Sequence, residues 1–351
     1  MIYGANGYTG RLIAEEAVRR GMKPTLAGRS GRKIEDLAGE LGCPGRVFAL
    51  EDADRVAKHL AGHRAALHCA GPFSATAGPM MQACLAAGVH YLDITGEISV
   101  IEAAAALDDQ ARQAGVTLLS AVGFDVVPSD CLAAMLASRL PGATHLQLAF
   151  TGTGTISPGT ARTMLEALPG GGRARIDGRI TRVPAAWKSM DVPFRDGPRH
   201  AVTVPWGDVA SAFHSTGIPN IEVYLAMSPR QVRWLRRMRR LLPLMRLPLP
   251  RGLLRWAIRR FVAGPSAEDR RTARGSFWGR VSDAQGRSAE ATLLTPSGYQ
   301  LTVRTALACL ERVLVGATVP GFWTPSKAFG PEFILTIPET ELQQSPFAPR
   351  K

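Results

Sequence analysis

The chain has 351 residues, of which 46% are hydrophobic, and this length exceeds the size at which a single hydrophobic core usually keeps growing. It contains no run of 18 uncharged apolar residues and no signal-peptide pattern at its start, so we expect a cytoplasmic protein without a membrane span. The net charge is +13, but 11 arginines and no acidic residue lie between Arg230 and Arg260, which leaves +2 for the rest. A basic surface spread over the whole protein, as for nucleic-acid binding, is therefore not expected.

The first ten residues combine a glycine-rich turn with the start of a helix. Gly4, Gly7 and Gly10 precede a helical pattern over residues 11–20, which ends at Gly21. Such a turn lets a phosphate approach backbone N–H groups at the positive end of a helix dipole. The spacing differs from the usual G-x-G-x-x-G, so a plain turn is the alternative. The predicted cofactor contacts in this turn are Gly4, Asn6, Gly7, Tyr8, Thr9 and Gly10.

The end of the second predicted strand, residues 24–27, carries basic residues. A domain specific for NAD would place an acidic residue here, on the ribose hydroxyls. This chain has Arg29 and Ser30, followed by Lys33. Because a guanidinium pairs well with a 2′-phosphate, the pattern favours NADP(H) as the cofactor. A solvated arginine after a strand is the alternative interpretation.

Strands and helices then alternate, which predicts a doubly wound parallel sheet with a ligand crevice at the carboxyl ends of its strands. Three more strands are predicted at residues 65–70, 90–94 and 116–122, and helices at 80–87 and 98–114. At the crevice, Ala70, Gly71 and Pro72 are predicted cofactor contacts. Tyr91 and Asp125 are candidate proton donors there, although a structural role suits each of them better: a buried tyrosine bonded to the backbone and an aspartate that caps a helix.

Several motifs in the chain resemble the saccharopine dehydrogenase-like family of NADP-dependent oxidoreductases, in particular its branch of trans-acting enoyl reductases. In the first domain they are GANGYTG from Gly4, AGR from Ala27, AGPF from Ala70, YLDITGE from Tyr91 and GFDVVPSD from Gly123. Later matches are GTARTM from Gly159, WGD from Trp206, STGIPN from Ser215, GFWTP from Gly321 and FG from Phe329. The resemblance implies a Rossmann domain, a mixed second domain that carries the substrate surface, and a late helix that returns to the first domain.

After residue 144 the pattern changes to strands with polar turns, which predicts a mixed α+β domain. Its strands are predicted at residues 146–150, 174–183, 221–226, 276–282 and 289–294, and helices at 160–168, after Trp206 and at 300–314. The predicted division is a cofactor domain over residues 1–128, a second domain over 129–330 and a tail over 331–351. The helix at 300–314 is the expected C-terminal return helix.

The basic segment, residues 230–262, has its own amphipathic pattern. On a helical projection Trp234, Leu235, Met238, Leu241 and Leu242 fall on one side and the arginines on the other, with a rougher repeat over residues 253–262. Such a helix suits an anionic membrane surface, here the inner face of the plasma membrane, with peripheral attachment. It suits equally a surface helix packed on its own domain or on a second subunit of a homodimer. No nucleic-acid-binding module accompanies the charge.

The five cysteines are widely separated and form no spacing typical of a metal site, so we expect reduced thiols and no bound metal.

The leading hypothesis is an NADP(H)-dependent reductase, similar to enoyl reductases, that acts on an apolar or lipid-linked small molecule at a membrane surface. Two alternatives stay open: a membrane-peripheral protein that binds NADP(H) without turnover, and a saccharopine dehydrogenase-like oxidoreductase of C–N bonds.

Overall fold

A computed structural model describes residues 1–152, 159, 161, 170–239, 248–262, 264 and 266–344. The chain divides into two compact units. The first contains Met1–Val127 and Tyr299–Phe329, and the second contains Pro128–Gly298 and Gly330–Lys351. Elements are numbered below in chain order.

Within the described residues, seven parallel strands form the sheet of the first unit. They are β1 (Ile2–Tyr3), β2 (Leu26–Gly28), β3 (Gly45–Val47), β4 (Ala65–His68), β5 (His90–Asp93), β6 (Thr117–Leu119) and β15 (Gly321–Trp323). Their order across the sheet is β15-β6-β5-β4-β1-β2-β3. The order reverses between β1 and β4, which are neighbours in the sheet but not in the chain. A ligand crevice is expected at the carboxyl ends of these two strands.

Helices connect these parallel strands. In the described part of the unit they are α1 (Tyr8–Arg19), α2 (Gly31–Leu41), α3 (Ala53–Leu60), α4 (Phe73–Ala87), α5 (Ile98–Ala105), α6 (Asp108–Gln113), α12 (Gly298–Leu314) and α13 (Pro325–Phe329). Helix α1 illustrates the packing, because its buried residues Ile13, Ala14 and Ala17 share one side of the helix. This side faces the core, and the first turn of α1 is left next to the end of β1.

The second unit is built on a mixed sheet. Its strands in the described residues are β7 (His145–Phe150), β8 (Gly172–Ile176), β9 (Arg179–Val183), β10 (Ser189–Phe194), β11 (Gly197–Thr203), β12 (Asn220–Ala226), β13 (Arg274–Ser282), β14 (Ser288–Pro296) and β16 (Glu341–Gln344). Strands β12 and β7 pair in parallel, and the other pairs are antiparallel. Its helices are α7 (Val127–Arg139), α8 (Asp208–Thr216), α9 (Pro229–Met238), α10 (Pro248–Phe261) and α11 (Ala267–Thr272).

The predicted fold class, a doubly wound Rossmann sheet with a mixed second domain and a return helix, is confirmed. Several elements differ. The helix predicted over residues 98–114 is broken into α5 and α6. The elements that were not predicted are α2, α3, α11, α13, β3, β10, β11, β15 and β16. Strand β3 lies at the sheet edge with an exposed-intermediate-exposed pattern, so it lacks the apolar run that identifies a buried strand. Apart from Ala161, the helix predicted at 160–168 lies outside the described residues.

The predicted domain boundaries need correction near the C-terminus. Residues 299–329 belong to the first unit, because the Thr305 hydroxyl in α12 donates to the Val122 carbonyl at 2.7 Å and β15 pairs with β6. The predicted tail also contains structure, since β16 pairs with β14 in the second unit. No helix among the described residues is both long and apolar enough to cross a membrane.

Candidate cofactor site

The glycine-rich turn lies at the carboxyl end of β1, at the switch point of the sheet. Gly4 has a positive φ of 80°, and a Cβ on it would lie 2.8 Å from the backbone nitrogen of Ala70. A Cβ on Gly10 would lie only 2.3 Å from the carbonyl oxygen of Gly4. The turn is therefore packed closely on β4 and α1, while Gly7, which precedes α1, is exposed. Because first-turn N–H groups have no intrahelical acceptor, the start of α1 can bind a phosphate.

The basic residues predicted to recognise the extra phosphate lie beside this turn. Arg29 directly follows β2 and is exposed, Ser30 precedes α2, and Lys33 lies exposed in the first turn of α2. The side chain of Asn6 reaches this strand end, since a Cβ on Gly28 would lie 2.8 Å from its Oδ1 atom. The structure thus brings the predicted residues of the turn and of the β2 end together at one edge of the sheet.

A carboxylate fixes the loop after β4, which contains Ala70, Gly71 and Pro72. The two oxygens of Glu97 accept hydrogen bonds from the backbone N–H groups of Phe73 and Ser74 at 2.8 and 2.9 Å. Glu97 therefore caps the amino end of α4, where a negative charge is favourable. It also ties the loop after β4 to the loop after β5.

The side chain of Tyr91 is buried, so its hydroxyl is not available to donate a proton in the crevice. Its hydroxyl donates to Asp93 at 2.8 Å, and burial raises the pKa of Tyr91 well above its usual value. Asp93 also accepts from the backbone N–H of Thr95 and Ala121 and from the Ser120 hydroxyl. The partner of Tyr91 is thus a side chain and not the backbone, and the tyrosine belongs to a buried network that joins β5 to β6. This position favours a structural role.

Asp125 follows β6 in the loop that precedes α7, and its carboxyl group lies against Gly96. A Cβ on Gly96 would be 2.7 Å from Oδ2 of Asp125. Burial raises the pKa of this carboxyl group to about 7. An acid that titrates near neutral pH can both hold and release a proton under physiological conditions. Of the two predicted proton donors, Asp125 is the one whose pKa lies near neutral, and its role as proton donor stays a prediction.

Two residues at this site were not predicted from the sequence. The ring of Tyr299 contacts the ring of Tyr8 edge-on at a centroid distance of 5.0 Å, so α12 places an aromatic side chain beside the start of α1. Glu97 was noticed only as part of a motif. The sequence predicts a helix over residues 300–314, but no local signal pairs Tyr299 with Tyr8, which lies 291 positions earlier.

His68, at the end of β4, is buried among aromatic rings and is expected to make stability depend on pH. Burial lowers its pKa from 6.5 to about 3, so the folded protein keeps this imidazole neutral. As the pH falls below 6.5, His68 becomes protonated in the unfolded chain but stays neutral in the folded chain. The free energy of unfolding should therefore fall by up to about 1.4 kcal/mol per pH unit between 6.5 and 3 through this residue.

Urea unfolding at a series of pH values would measure this effect, with His68→Phe as the variant that cannot titrate. The Phe side chain suits a pocket that contains Tyr3 and Phe73, whose ring centroids lie 5.6 and 5.4 Å from His68. We expect a flatter acid limb in the variant. Parallel curves for the two proteins would contradict the assignment.

The described residues contain no group of side chains that could hold a metal ion. All five cysteines are free, and burial raises the pKa of the Cys69, Cys84 and Cys309 thiols. These thiols are therefore packing residues and poor nucleophiles.

Comparison with known proteins now identifies the first unit. The family described as the saccharopine dehydrogenase NADP binding domain matches residues 1–119. The first 119 residues are therefore similar to this NADP binding domain. The turn fits this cofactor, because the exposed Gly7 leaves the backbone at the start of α1 open to a phosphate and Arg29 is exposed at the neighbouring strand end.

Two curated relatives are similar to part of this chain. A candidate trans-acting enoyl reductase of Mycobacterium tuberculosis is 32% identical over 182 residues, which is 48% of this chain and 43% of that protein. A saccharopine dehydrogenase-like oxidoreductase of Arabidopsis thaliana is 31% identical over 147 residues, 37% of this chain and 32% of that protein. These alignments span less than half the length of either relative.

Saccharopine dehydrogenase of the L-Glu-forming type from Saccharomyces cerevisiae has a similar solved structure. The TM-score is 0.66 at 10% identity, and the match covers 98% of this chain and 99% of that one. The NADP binding domain and the second unit therefore share the saccharopine dehydrogenase fold.

Proposed function

We propose that this protein is an NADP(H)-dependent reductase that acts on an apolar or lipid-linked substrate containing an activated C=C bond. The observation that carries the proposal is the bare turn from Gly4 to Gly10 at the switch point of the sheet, with Arg29 exposed at the adjacent strand end. The name of the Mycobacterium tuberculosis relative supports an enoyl substrate. The exposed aromatic residues of the second unit support an apolar one.

Bound NADPH would supply a hydride to the β-carbon of an enoyl thioester. The chain's own residues hold the diphosphate at the start of α1, pair with the 2′-phosphate through Arg29, and provide the proton for the α-carbon. We assign that proton to the carboxyl group of Asp125. Tyr91 is left with the structural role described above, since its hydroxyl is buried against Asp93.

The decisive experiment follows NADPH absorbance with three substrates: a long-chain enoyl thioester, a membrane lipid extract, and an amino-acid mixture derived from lysine and glutamate. Steady oxidation of NADPH with the enoyl thioester or the lipid extract supports the proposal. Tight NADPH binding without turnover on any of them would instead favour a non-catalytic cofactor-binding protein. Turnover limited to the amino-acid substrates would favour a C–N oxidoreductase like the yeast neighbour.

Asp125→Asn should lower kcat by roughly 100-fold or more, which is the usual contribution of a general acid. In the parent, the rate should fall as pH rises above about 7, because the protonated carboxyl group is the active form. This pH limb should be absent in the variant, while NADPH affinity stays unchanged. A parent profile that does not change between pH 6 and 8 would rule out this proton donor.

A further inference from the structure

The second unit carries two arginine-rich helices, and α9 is fixed to the unit by one of its sides. A capping box starts this helix: the Gln231 backbone N–H donates to the Ser228 hydroxyl, and the Gln231 side chain accepts from the Ser228 N–H. Val232 is buried in a cluster of Ala186 and Val202. This contact corrects the predicted apolar side, because Val232 and Leu235 face the unit whereas Trp234 does not.

The outward side of α9 combines an aromatic ring with cations. Trp234 is 63% exposed, and Arg230, Arg233 and Arg237, which lie four residues before, one before and three after it, are exposed as well. None of these three guanidinium groups pairs with a carboxylate of the described residues. In contrast, Arg236 faces inward and donates to the Ala186 carbonyl and the Ser189 hydroxyl, each at 3.0 Å.

Helix α10 repeats this composition. Leu253, Trp256 and Phe261 are 65%, 54% and 71% exposed. Trp256 and Phe261 meet edge-on at 5.9 Å, and the guanidinium of Arg260 lies 5.6 Å from the Phe261 ring. Large apolar side chains that cluster at the surface mark a site of interaction, since single exposed hydrophobic residues are common but clusters are not.

The positive charge of residues 230–260 indicates the class of partner. Residues 230–260 contain 11 arginines and no acidic residue, so the partner must be anionic. Three exposed large aromatic rings and a leucine also need an apolar phase, which a lipid bilayer offers directly below its charged headgroups. Tryptophan is favoured at this depth, and arginine can extend its head to the phosphates.

We propose that α9 and α10 dock this chain on anionic lipid through Trp234, Trp256 and Phe261, together with Arg230, Arg233 and Arg237. We call these six residues the arginine–aromatic surface. The aromatic rings enter the headgroup boundary and the guanidinium groups bind lipid phosphates. This docking uses no residue of the cofactor site, so vesicle binding and NADPH binding can be measured separately.

Vesicle flotation of the full chain tests the proposal. We expect the protein to float with vesicles of phosphatidylglycerol and phosphatidylcholine in roughly a 3:7 ratio, and not with phosphatidylcholine alone. High salt should weaken binding, because it screens the arginines. The double variant Arg233→Glu/Arg237→Glu should weaken the apparent affinity at least about tenfold, and Trp256→Ala/Phe261→Ala should reduce it similarly.

The matched control variants carry charge reversals and alanine substitutions at other exposed positions. Arg55→Glu/Arg179→Glu alters the charge equally, and Val315→Ala/Val319→Ala removes other exposed apolar groups. Both controls should float like the parent. NADPH binding, measured on every sample, should be unaffected in all variants, which shows that they are folded and separates this test from that of the reductase.

Several outcomes would overturn the proposal. They are no flotation of the parent with anionic vesicles, equal flotation of the parent and the charge-reversal variant, and tighter binding to an oligonucleotide than to the vesicles at the same salt. A dimer in sedimentation velocity that Trp256→Ala/Phe261→Ala dissociates, without vesicle binding, would show instead that a second copy of the chain covers this surface.

Discussion

Gly10→Ala should abolish NADPH binding and lower the free energy of unfolding by about 3 kcal/mol, the upper range for a forced steric insertion. The added Cβ would lie 2.3 Å from the carbonyl oxygen of Gly4, and its three nearest atoms, in Gly4 and Ala5, are all backbone atoms that cannot rotate away. The turn must therefore move away from α1, and the phosphate cradle is lost with it. Isothermal calorimetry with NADPH and thermal unfolding measure the two effects.

Gly39→Ala is the matched control, because Gly39 also lies within a helix, α2, but nothing lies within 4 Å of the Cβ it would gain. The same substitution should there leave NADPH binding unchanged and stabilise the protein by roughly 0.5–1 kcal/mol, since alanine favours helices over glycine. If both variants bind NADPH like the parent, the turn does not hold the cofactor.

Arg29→Ala should raise the dissociation constant for NADPH by roughly 10- to 100-fold and leave that for NADH nearly unchanged, since one hydrogen-bonded charge pair contributes about 1.5–3 kcal/mol. Only NADPH carries the 2′-phosphate that this guanidinium would meet. Fluorescence titration of both cofactors against parent and variant gives the ratio directly.

Arg55→Ala serves as the control for a general loss of positive charge, because Arg55 is highly exposed on α3 of the same unit. It should alter both dissociation constants less than about twofold, because surface charges beyond a Debye length are largely screened. Equal affinity of the parent for NADPH and NADH would show that Arg29 does not select the cofactor.

The sequence predicts those parts of the site whose residues lie close together in the chain. A phosphate-binding turn needs glycines, a following helix and a strand, and all three fall within residues 2–19, so the cofactor site could be predicted. The same holds for Arg29, whose position relative to β2 is fixed by chain distance. Loops that follow predicted strands could be placed at one edge of the sheet without knowing any long-range contact.

Contacts that join distant residues could not be predicted. The pairing of Tyr8 with Tyr299 and of β6 with β15 depends on how residues near 300–323 pack, and nothing in their local pattern specifies a partner near the N-terminus. The choice between Tyr91 and Asp125 also needed coordinates, because a tyrosine at a strand end and an aspartate in a loop look equally available until burial and neighbours are known. The side of α9 that faces the unit was misjudged for a similar reason: an arginine, Arg236, takes an inward position by binding a carbonyl and a hydroxyl.

Glu97 has a consequence for how a dinucleotide is oriented. Two helices, α1 and α4, begin at the switch-point strands β1 and β4, and each could attract an anion to its amino end. At α4 a carboxylate of the protein already occupies the N–H groups of Phe73 and Ser74, so a second anion there would be repelled. If the diphosphate binds at α1 and Arg29 meets the 2′-phosphate, as proposed above, the adenosine half would extend towards β2 and the nicotinamide ring towards β4. By occupying the N–H groups of α4, Glu97 would then favour this orientation of the cofactor without touching it.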